Sequence, residues 1–342
     1  MLTPWVESPF FARELEVRQD RLTSEQIALA TEYHDKGYVA LKQQVSHDLC
    51  DRIRSEIEPM FSEPYAREHR RVPDAWQRGA AGVLELARLR SIQDTLAVLY
   101  ERRPIPFQTL NFKFGTEQAL HSDAIHFTCL PARFMCGVWV ALEDTDEGNG
   151  PLLYYPGSHR LSHFEPHELG LSDAELRYDR HEALWLELMA EHGIEPVEFH
   201  ARKGDVLIWS SDILHGGKRV TRAGSTRWSQ VTHFYFADCL YYAPVYSDLF
   251  AGELRLKDIT DLNTMEPVTH TYDGEPVSIS PIGNERSRVA LARFASASAG
   301  NGNSATALAD AQRELESLRN SASYRLGHTL LSPVRLLRRR SR

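Results

Sequence analysis

The sequence predicts a mainly-β domain, built as an antiparallel sandwich or barrel, with helices packed outside it. From residue 105 onward, short apolar or alternating segments recur that are too short for typical helices. Glycine-rich and proline-containing turns separate them, such as GNG at 148–150 and PGS at 156–158. Before residue 105 the apolar residues instead recur at helical spacing.

The first hundred residues carry helix start signals. Thr23 with Gln26 three residues later forms the pattern of a capping box, so a helix is expected to begin there. An apolar run at 38–41 predicts a strand, and Ser46 predicts the cap of a second helix. Residues 82–100 are interpreted as one further helix.

The β part is expected to contain six main strands. A helical segment at about 172–192 interrupts them. The predicted strands lie at 107–114, 133–142, 151–155, 196–200, 205–209 and 227–236.

Composition limits the function classes. The chain has 342 residues, of which 42% are hydrophobic and 25% charged, which is typical of a globular protein. Its four cysteines are scattered, and no two stand at the spacing of a zinc ribbon or redox motif, which favours a reducing, cytoplasmic setting. No basic segment followed by an apolar run opens the sequence, and no run of about eighteen apolar residues occurs. We therefore expect neither a cleaved secretion signal nor a spanning helix.

The C-terminal region differs in composition from the rest. We expect a main domain at 1–293, a flexible linker rich in small residues at 294–310, and a basic, partly helical tail at 311–342. The tail contains eight arginines and two glutamates, within a chain of net charge −8. Two alternatives stay open for the tail: peripheral contact with an anionic membrane at its inner face, or a solvated segment without a partner. Nucleic acid is not expected as a partner, since groove-reading features are missing.

The sequence LHSDAIH at 120–126 suggests a metal site. His121 and Asp123 stand two apart, so on a strand they project from one face, whereas His126 falls out of that register. His215, between an apolar strand and two glycines, is the best third ligand. Two histidines and a carboxylate on one face of an octahedron are typical of non-haem iron(II) oxygenases. The alternative is an accidental pair among fifteen histidines.

Arg227 adds to this pattern. It lies twelve residues after His215 and begins an alternating strand, sharing a face with Ser229 and Val231. A guanidinium binds a carboxylate bidentately, which suits the distal carboxylate of a 2-oxoglutarate co-substrate. The alternative is a strand arginine paired with a surface acid.

Together these motifs resemble the phytanoyl-CoA dioxygenase (PhyH-like) family of iron(II)/2-oxoglutarate oxygenases. The matching parts are HSD at 121–123, GVWVALEDTDEGNGPLLYYPGSHR at 137–160 and KGDVLIWSSDILHGGKRV at 203–220. The resemblance implies a double-stranded β-helix core of the jelly-roll, cupin-like type. It also implies iron(II) held by His121, Asp123 and His215, with 2-oxoglutarate held by Arg227 and no further catalytic side chain.

The resemblance implies more about the cofactor pocket. Trp139 matches a pocket tryptophan of the family, and Thr109 and Asn111 match a strand that contributes cofactor contacts. Some members have a hydroxyl residue two positions after the distal histidine, where this chain has Gly217. The corresponding cofactor contact is therefore either absent or supplied by Ser229 or Thr226.

The implied activity is hydroxylation of an aliphatic C–H bond, with release of succinate and CO2. Desaturation, epimerisation and cyclisation are alternatives, as is a non-catalytic module that binds carbohydrate or a protein partner. The tail also resembles tails of bacterial polysaccharide-assembly proteins, which implies a small-molecule, sugar or lipid-linked substrate in cell-surface polysaccharide biosynthesis. The oligomeric state stays open.

Overall fold

The computed structural model of the protein describes residues 3–162, 164–165, 168–169, 178–247 and 254–277. Within these residues, six of the seven α-helices lie before residue 104. The α-helices are α1 (Phe11–Arg18), α2 (Ser24–Lys36), α3 (His47–Ile57), α4 (Pro64–His69), α5 (Ala81–Ala87), α6 (Arg90–Tyr100) and α7 (Tyr178–His192).

Fifteen strands, most of them short, make up the β part of the described chain. They are β1 (Tyr38–Leu41), β2 (Val72–Pro73), β3 (Pro104–Phe112), β4 (Thr128–Leu130), β5 (Met135–Ala141), β6 (Leu152–Tyr154), β7 (Val197–Phe199), β8 (Val206–Ser210), β9 (His215–Gly217), β10 (Ser229–Phe236), β11 (Leu240–Tyr242), β12 (Thr260–Asp261), β13 (Glu266–Pro267), β14 (Thr271–Tyr272) and β15 (Glu275–Pro276).

Nine of these strands form a large and a small sheet, and the other six form the antiparallel pairs β11-β4, β12-β13 and β14-β15. The large sheet has the order β1-β8-β5-β10-β3-β2, and the small one has the order β7-β6-β9. Neighbours in the large sheet are distant in sequence, so the chain crosses repeatedly between positions, as in a jelly roll. The fold is mainly β with flanking helices around a double-stranded β-helix core, which confirms the predicted class.

The large sheet is buried on both faces. Val138, Val140 and Phe234 belong to a core shared with the helices. The intervening residues Trp139 and Val231 belong to a second core, which includes residues of the small sheet. Because side chains alternate along a strand, each strand supplies both cores. The functional side chains described below lie on the second face.

Most predicted elements are confirmed. The capping box of Thr23 and Gln26 is formed at the start of α2, and the Ser46 side chain caps α3. The six predicted strands correspond to β3, β5, β6, β7, β8 and β10. The single helix predicted at 82–100 is wrong, because α5 ends at Ala87 and α6 begins at Arg90.

The break between α5 and α6 lies at Arg88, which is hydrogen-bonded to a segment outside these helices. Its side-chain Nε donates a hydrogen bond to the carbonyl of Leu262, and its backbone closes the last turn of α5. The helix α1 was not predicted from the sequence.

Several predictions fall on residues outside the described ranges. These are the boundaries near 293 and 310, the basic tail and the segment 172–177 of the predicted helical insertion. Among the described helices, none combines the length and apolar character that crossing a membrane requires.

Candidate metal centre and cavity

His121, Asp123 and His215 come together at one point in the fold. All three side chains are buried, and one ligand atom from each lies within 4.8 Å of the others. Nε2 of His121 is 3.9 Å from Oδ1 of Asp123, and Nε2 of His215 is 3.8 Å from the same oxygen. Two imidazole nitrogens therefore flank one carboxylate oxygen, which is a donor set suited to iron(II).

Backbone hydrogen bonds fix this arrangement. His121 and His215 form an isolated antiparallel bridge, in which each backbone N–H donates to the carbonyl of the other at 2.9 Å. Asp123 begins a short 3-10 turn whose preceding residue, Ser122, caps it through Oγ. Ser122 Oγ also donates to the carbonyl of Ser211 at 2.8 Å, which connects the turn to the end of β8.

The second nitrogen of each histidine ring is engaged by a backbone carbonyl. Nδ1 of His121 lies 2.9 Å from the carbonyl of Ala119, and Nδ1 of His215 lies 3.2 Å from that of Ile213. A carbonyl can only accept, so both Nδ1 atoms carry the proton and both Nε2 lone pairs face the carboxylate. Burial, together with the neighbouring His215, lowers the pKa of His121 to about 3, which keeps its ring neutral.

Asp123 is held on its other oxygen. The indole Nε1 of Trp209 donates to Oδ2 at 2.8 Å, and Nε2 of His233 lies 3.7 Å from that oxygen. Burial alone would raise the pKa of Asp123, but His215, His233 and His121 hold it far below its usual range. The carboxylate is therefore ionised, with Oδ1 left towards the two histidines.

The glycines after His215 permit a close approach. A Cβ on Gly216 would lie 2.9 Å from the carbonyl oxygen of Gln118, and one on Gly217 would lie 2.9 Å from the backbone nitrogen of Glu117. Both are therefore needed so that the segment before His121 can pack against β9.

A cavity of about 630 Å³ opens onto the three side chains. Trp139 lines it from β5 and is 1% exposed, and its indole Nε1 has no hydrogen-bond partner among the described residues. Arg227 lines the same cavity. The structure thus brings five of the predicted site residues to one cavity.

Arg227 is buried without a countercharge. Its side chain is 1% exposed, and one guanidinium nitrogen donates to the carbonyl of Gly150 at 3.0 Å. In the described part of the chain no carboxylate lies within ion-pair distance of it, and its Nε is unpartnered. Burial, with a smaller effect of Arg70, lowers its pKa to about 10, so it stays charged at neutral pH. An anion is the natural complement of such a group.

Residues 107–227 match the family model of phytanoyl-CoA dioxygenase (PhyH). The matched range includes His121, Asp123, His215 and Arg227. Over these residues the chain is similar to that family. No curated protein matches the sequence.

Solved structures share the architecture of this chain. The alpha ketoglutarate dependent carbocyclase SnoK from nogalamycin biosynthesis is 18% identical, with a TM-score of 0.50 over 65% of this chain and 87% of that chain. The epimerase SnoN, in complex with Fe3+, alpha ketoglutarate and nogalamycin RO, is 20% identical, with a TM-score of 0.51 over 73% and 97%. At these identities the likeness shows a common fold.

Thr109 and Asn111 do not line the cavity, so the structure does not support their prediction as cofactor contacts. Thr109 donates its backbone N–H to Asp74 at 2.8 Å, and the Asn111 side-chain amide donates to Gln230 at 3.2 Å. The alternate residues of β3, Gln108 among them, line the cavity. The sequence prediction placed the cofactor contacts on one face of β3, whereas residues on its other face line the cavity.

Three cavity residues were missed or undervalued. His233 extends the Arg227, Ser229, Val231 alternation by two positions, so the sequence contained the signal for it. Gln118 places its side-chain nitrogen 3.1 Å from Nε2 of His121, and no spacing rule indicates it. His126, interpreted as a bystander, lines the cavity as well.

The hydroxyl groups expected to compensate for Gly217 differ in their contacts. Thr226 Oγ1 donates to Glu143 at 3.0 Å and is thereby occupied. Ser229 Oγ is fully buried and has no hydrogen-bond partner among the described residues.

Proposed function

We propose that the protein is an iron(II)- and 2-oxoglutarate-dependent oxygenase. The observation that supports this best is one cavity that holds the His121, Asp123 and His215 donor set together with the buried, unpaired Arg227. A buried cation without a carboxylate is costly for the fold, so its retention beside a donor set for iron favours a role in binding an anionic co-substrate.

Each residue has a role in this proposal. His121, Asp123 and His215 would hold iron(II), with the His121 ring neutral and the carboxylate ionised. Arg227 would bind the distal carboxylate of 2-oxoglutarate, with Ser229 as a further donor at the same end of β10. Trp139 would shape the pocket wall. When bound, iron and 2-oxoglutarate would supply oxidation of an unactivated C–H bond by dioxygen, with one oxygen atom going to the product and the other to succinate as 2-oxoglutarate loses CO2.

The fold limits water at the centre. Trp209 and His233 occupy one side of Asp123, and the two histidines occupy the other, so the carboxylate does not face bulk water. A dry, preorganised pocket positions the reactants and restricts side reactions of the oxidant.

Hydroxylation of an aliphatic C–H bond is the proposed outcome, on a small-molecule, sugar or lipid-linked substrate, with cell-surface polysaccharide biosynthesis as the setting. SnoK is a carbocyclase and SnoN is an epimerase, so cyclisation and epimerisation are the alternatives within the same chemistry. Mass analysis of the product distinguishes them, because hydroxylation adds one oxygen atom and epimerisation adds none.

An anaerobic titration tests the proposal directly. Iron(II) and 2-oxoglutarate added to the full chain should produce the weak visible charge-transfer band of the iron–oxoacid chelate. Asp123→Ala should abolish the band, and Asp146→Ala, which changes an exposed acid paired with Arg222, should retain it. Absence of the band in folded wild-type protein would overturn the proposal.

A further inference from the structure

The cavity contains more positive charge than 2-oxoglutarate requires. Besides Arg227, two cationic side chains line it, Arg71 and Lys257. Among the described residues that line the cavity, Asp123 is the one carboxylate. Iron(II), ionised Asp123, the 2-oxoglutarate dianion and the Arg227 guanidinium together sum to zero charge. Arg71 and Lys257 therefore remain uncompensated after the co-substrate has bound.

Lys257 is partly buried beside an aromatic ring. Its ammonium lies 4.2 Å from the ring centroid of Phe127, and that ring is 4.9 Å from the ring of His233. Nε2 of His233 in turn lies 3.7 Å from Asp123, so the ammonium lies on the metal side of the cavity. Burial lowers the pKa of Lys257 to about 8, with no carboxylate in the described chain to oppose it.

Arg71 is also without a carboxylate partner. Its Nε is buried and has no hydrogen-bond partner, and none of the ion pairs within the described ranges involves it. The adjacent Arg70 differs, because its guanidinium lies 3.7 Å from Glu117. Of two consecutive arginines, the cavity-facing one is thus the one left unpaired.

Lys257 lies away from Arg227 along β10. Arg227 stands two residues before the strand, whereas His233, whose ring is 4.9 Å from that of Phe127, is the fifth residue of the strand. At about 3.3 Å per residue, these two positions on the chain are about 20 Å apart. Arg71 and His126 line the same cavity as Lys257.

We infer that the substrate of this enzyme carries an anionic group, a phosphate or a carboxylate, which Arg71 and Lys257 bind while 2-oxoglutarate occupies Arg227. That the bound anion belongs to a substrate rests on the proposed function, whereas the anion site itself is inferred from the side chains alone. Anchoring the substrate by this group would fix which of its C–H bonds faces the iron ligands.

The outer end of the cavity suits the remainder of such a molecule. Tyr65 and Tyr246 line the cavity and are 46% and 59% exposed, respectively. Exposed aromatic rings offer flat surfaces on which a ring of the substrate can stack.

Anion binding by the full chain, without added metal or 2-oxoglutarate, tests the inference. Inorganic phosphate and acetate are titrated calorimetrically, in separate arms, into Arg227→Gln and into Arg227→Gln combined with Arg71→Gln or Lys257→Met, so that Arg227 itself offers no anion site. Arg227→Gln should still bind the anion, and loss of a charged hydrogen bond should weaken that binding by about tenfold or more in each double variant. Tighter binding of phosphate than of acetate would identify a phosphorylated substrate, and the reverse order a carboxylate.

Two further variants serve as controls. Lys36→Gln removes an exposed lysine paired with Glu32 and should leave anion binding unchanged. Arg71→Lys keeps the charge and should retain most of the affinity, which separates a binding role from a folding defect. Undetectable binding of both anions at millimolar concentration, or loss of binding through Arg227→Gln alone, would overturn the inference. Neither result affects the iron charge-transfer band, so the proposed function is judged separately.

Discussion

The indole of Trp209 donates a 2.8 Å hydrogen bond to Oδ2 of Asp123, and Oδ1 of the same carboxylate faces the Nε2 atoms of His121 and His215. One oxygen is thus fixed by the fold and the other is left for a metal. Partners of this kind orient a ligand before the ion arrives, and their loss typically weakens metal affinity by about 10- to 100-fold.

Trp209→Phe should therefore weaken iron(II) binding by about tenfold or more, because Asp123 loses the donor that orients it. Cobalt(II) titration followed by its visible absorption measures the affinity. Trp228→Phe is a matched control, since Trp228 is similarly buried but belongs to the core shared with the helices. Equal metal affinity in Trp209→Phe and wild type would contradict the role assigned to the indole.

Gly137→Ala should disturb the same ligand indirectly. A Cβ at Gly137 would lie 2.4 Å from Cε2 of Trp209, so the indole must move and its bond to Asp123 must change. We expect weaker metal binding, comparable to that of Trp209→Phe. The double variant should bind metal no worse than Trp209→Phe alone, because the smaller ring relieves the clash. Additive losses in the double variant would show that Gly137 acts by another route.

The sequence could predict the metal donors better than the walls of the cavity. His121 and Asp123 are identified by their spacing, and His215 and Arg227 by their order along the chain. In β3 both faces are buried, one against the helices and one against the cavity, so no hydrophobic alternation distinguishes them. Assigning the cavity to the wrong face of β3, a shift of one residue, placed Thr109 and Asn111 among the expected cofactor contacts.

Arg71 and Lys257 illustrate a second limit. They lie far apart in sequence, neither lies on a strand, and neither has a spacing relation to the metal motif. Their places in the cavity wall depend on how the connecting segments pack, which a single sequence does not encode locally.

Asn111→Ala tests the corrected orientation of β3. Because the Asn111 amide is fully buried and donates to Gln230, its removal should lower the free energy of unfolding by about 1–3 kcal/mol. The KM for 2-oxoglutarate, measured by succinate formation, should stay unchanged. Gln108→Ala is the matched comparison, since Gln108 lines the cavity and lies 3.0 Å from Nδ1 of His233. A large KM increase in Asn111→Ala, with none in Gln108→Ala, would restore the original assignment.

Glu7 predicts a pH dependence of stability. Its carboxylate is buried and contacts Arg133 at 3.1 Å, Ser210 at 3.0 Å and the Tyr100 hydroxyl at 3.3 Å, with Asp212 on the far side of Arg133. Burial, assisted by Asp212 and opposed by Arg133, raises the pKa of Glu7 from 4.5 to about 7. The folded chain thus keeps a proton that the unfolded chain releases between these values.

Stability should therefore fall as pH rises from about 4.5 to 7, by at most about 3 kcal/mol from this group, and level off above that. Glu7→Gln should remove this part of the slope. Urea unfolding at pH 5, 6 and 8 measures it, and Glu32→Gln, an exposed acid, should keep the wild-type slope. An unaltered slope in Glu7→Gln would place the titration elsewhere.

Arg227→Gln separates a binding role from a structural one. If Arg227 binds 2-oxoglutarate, the KM for 2-oxoglutarate should rise by about 100-fold, since a charge-assisted pair is lost in a buried site. The melting temperature without ligand should stay the same or rise, because an unpaired buried guanidinium is replaced by a neutral amide. Excess 2-oxoglutarate with zinc should raise the melting temperature of wild type and leave that of the variant nearly unchanged. A structural arginine would give the opposite pattern, with a lower melting temperature and an unaltered KM.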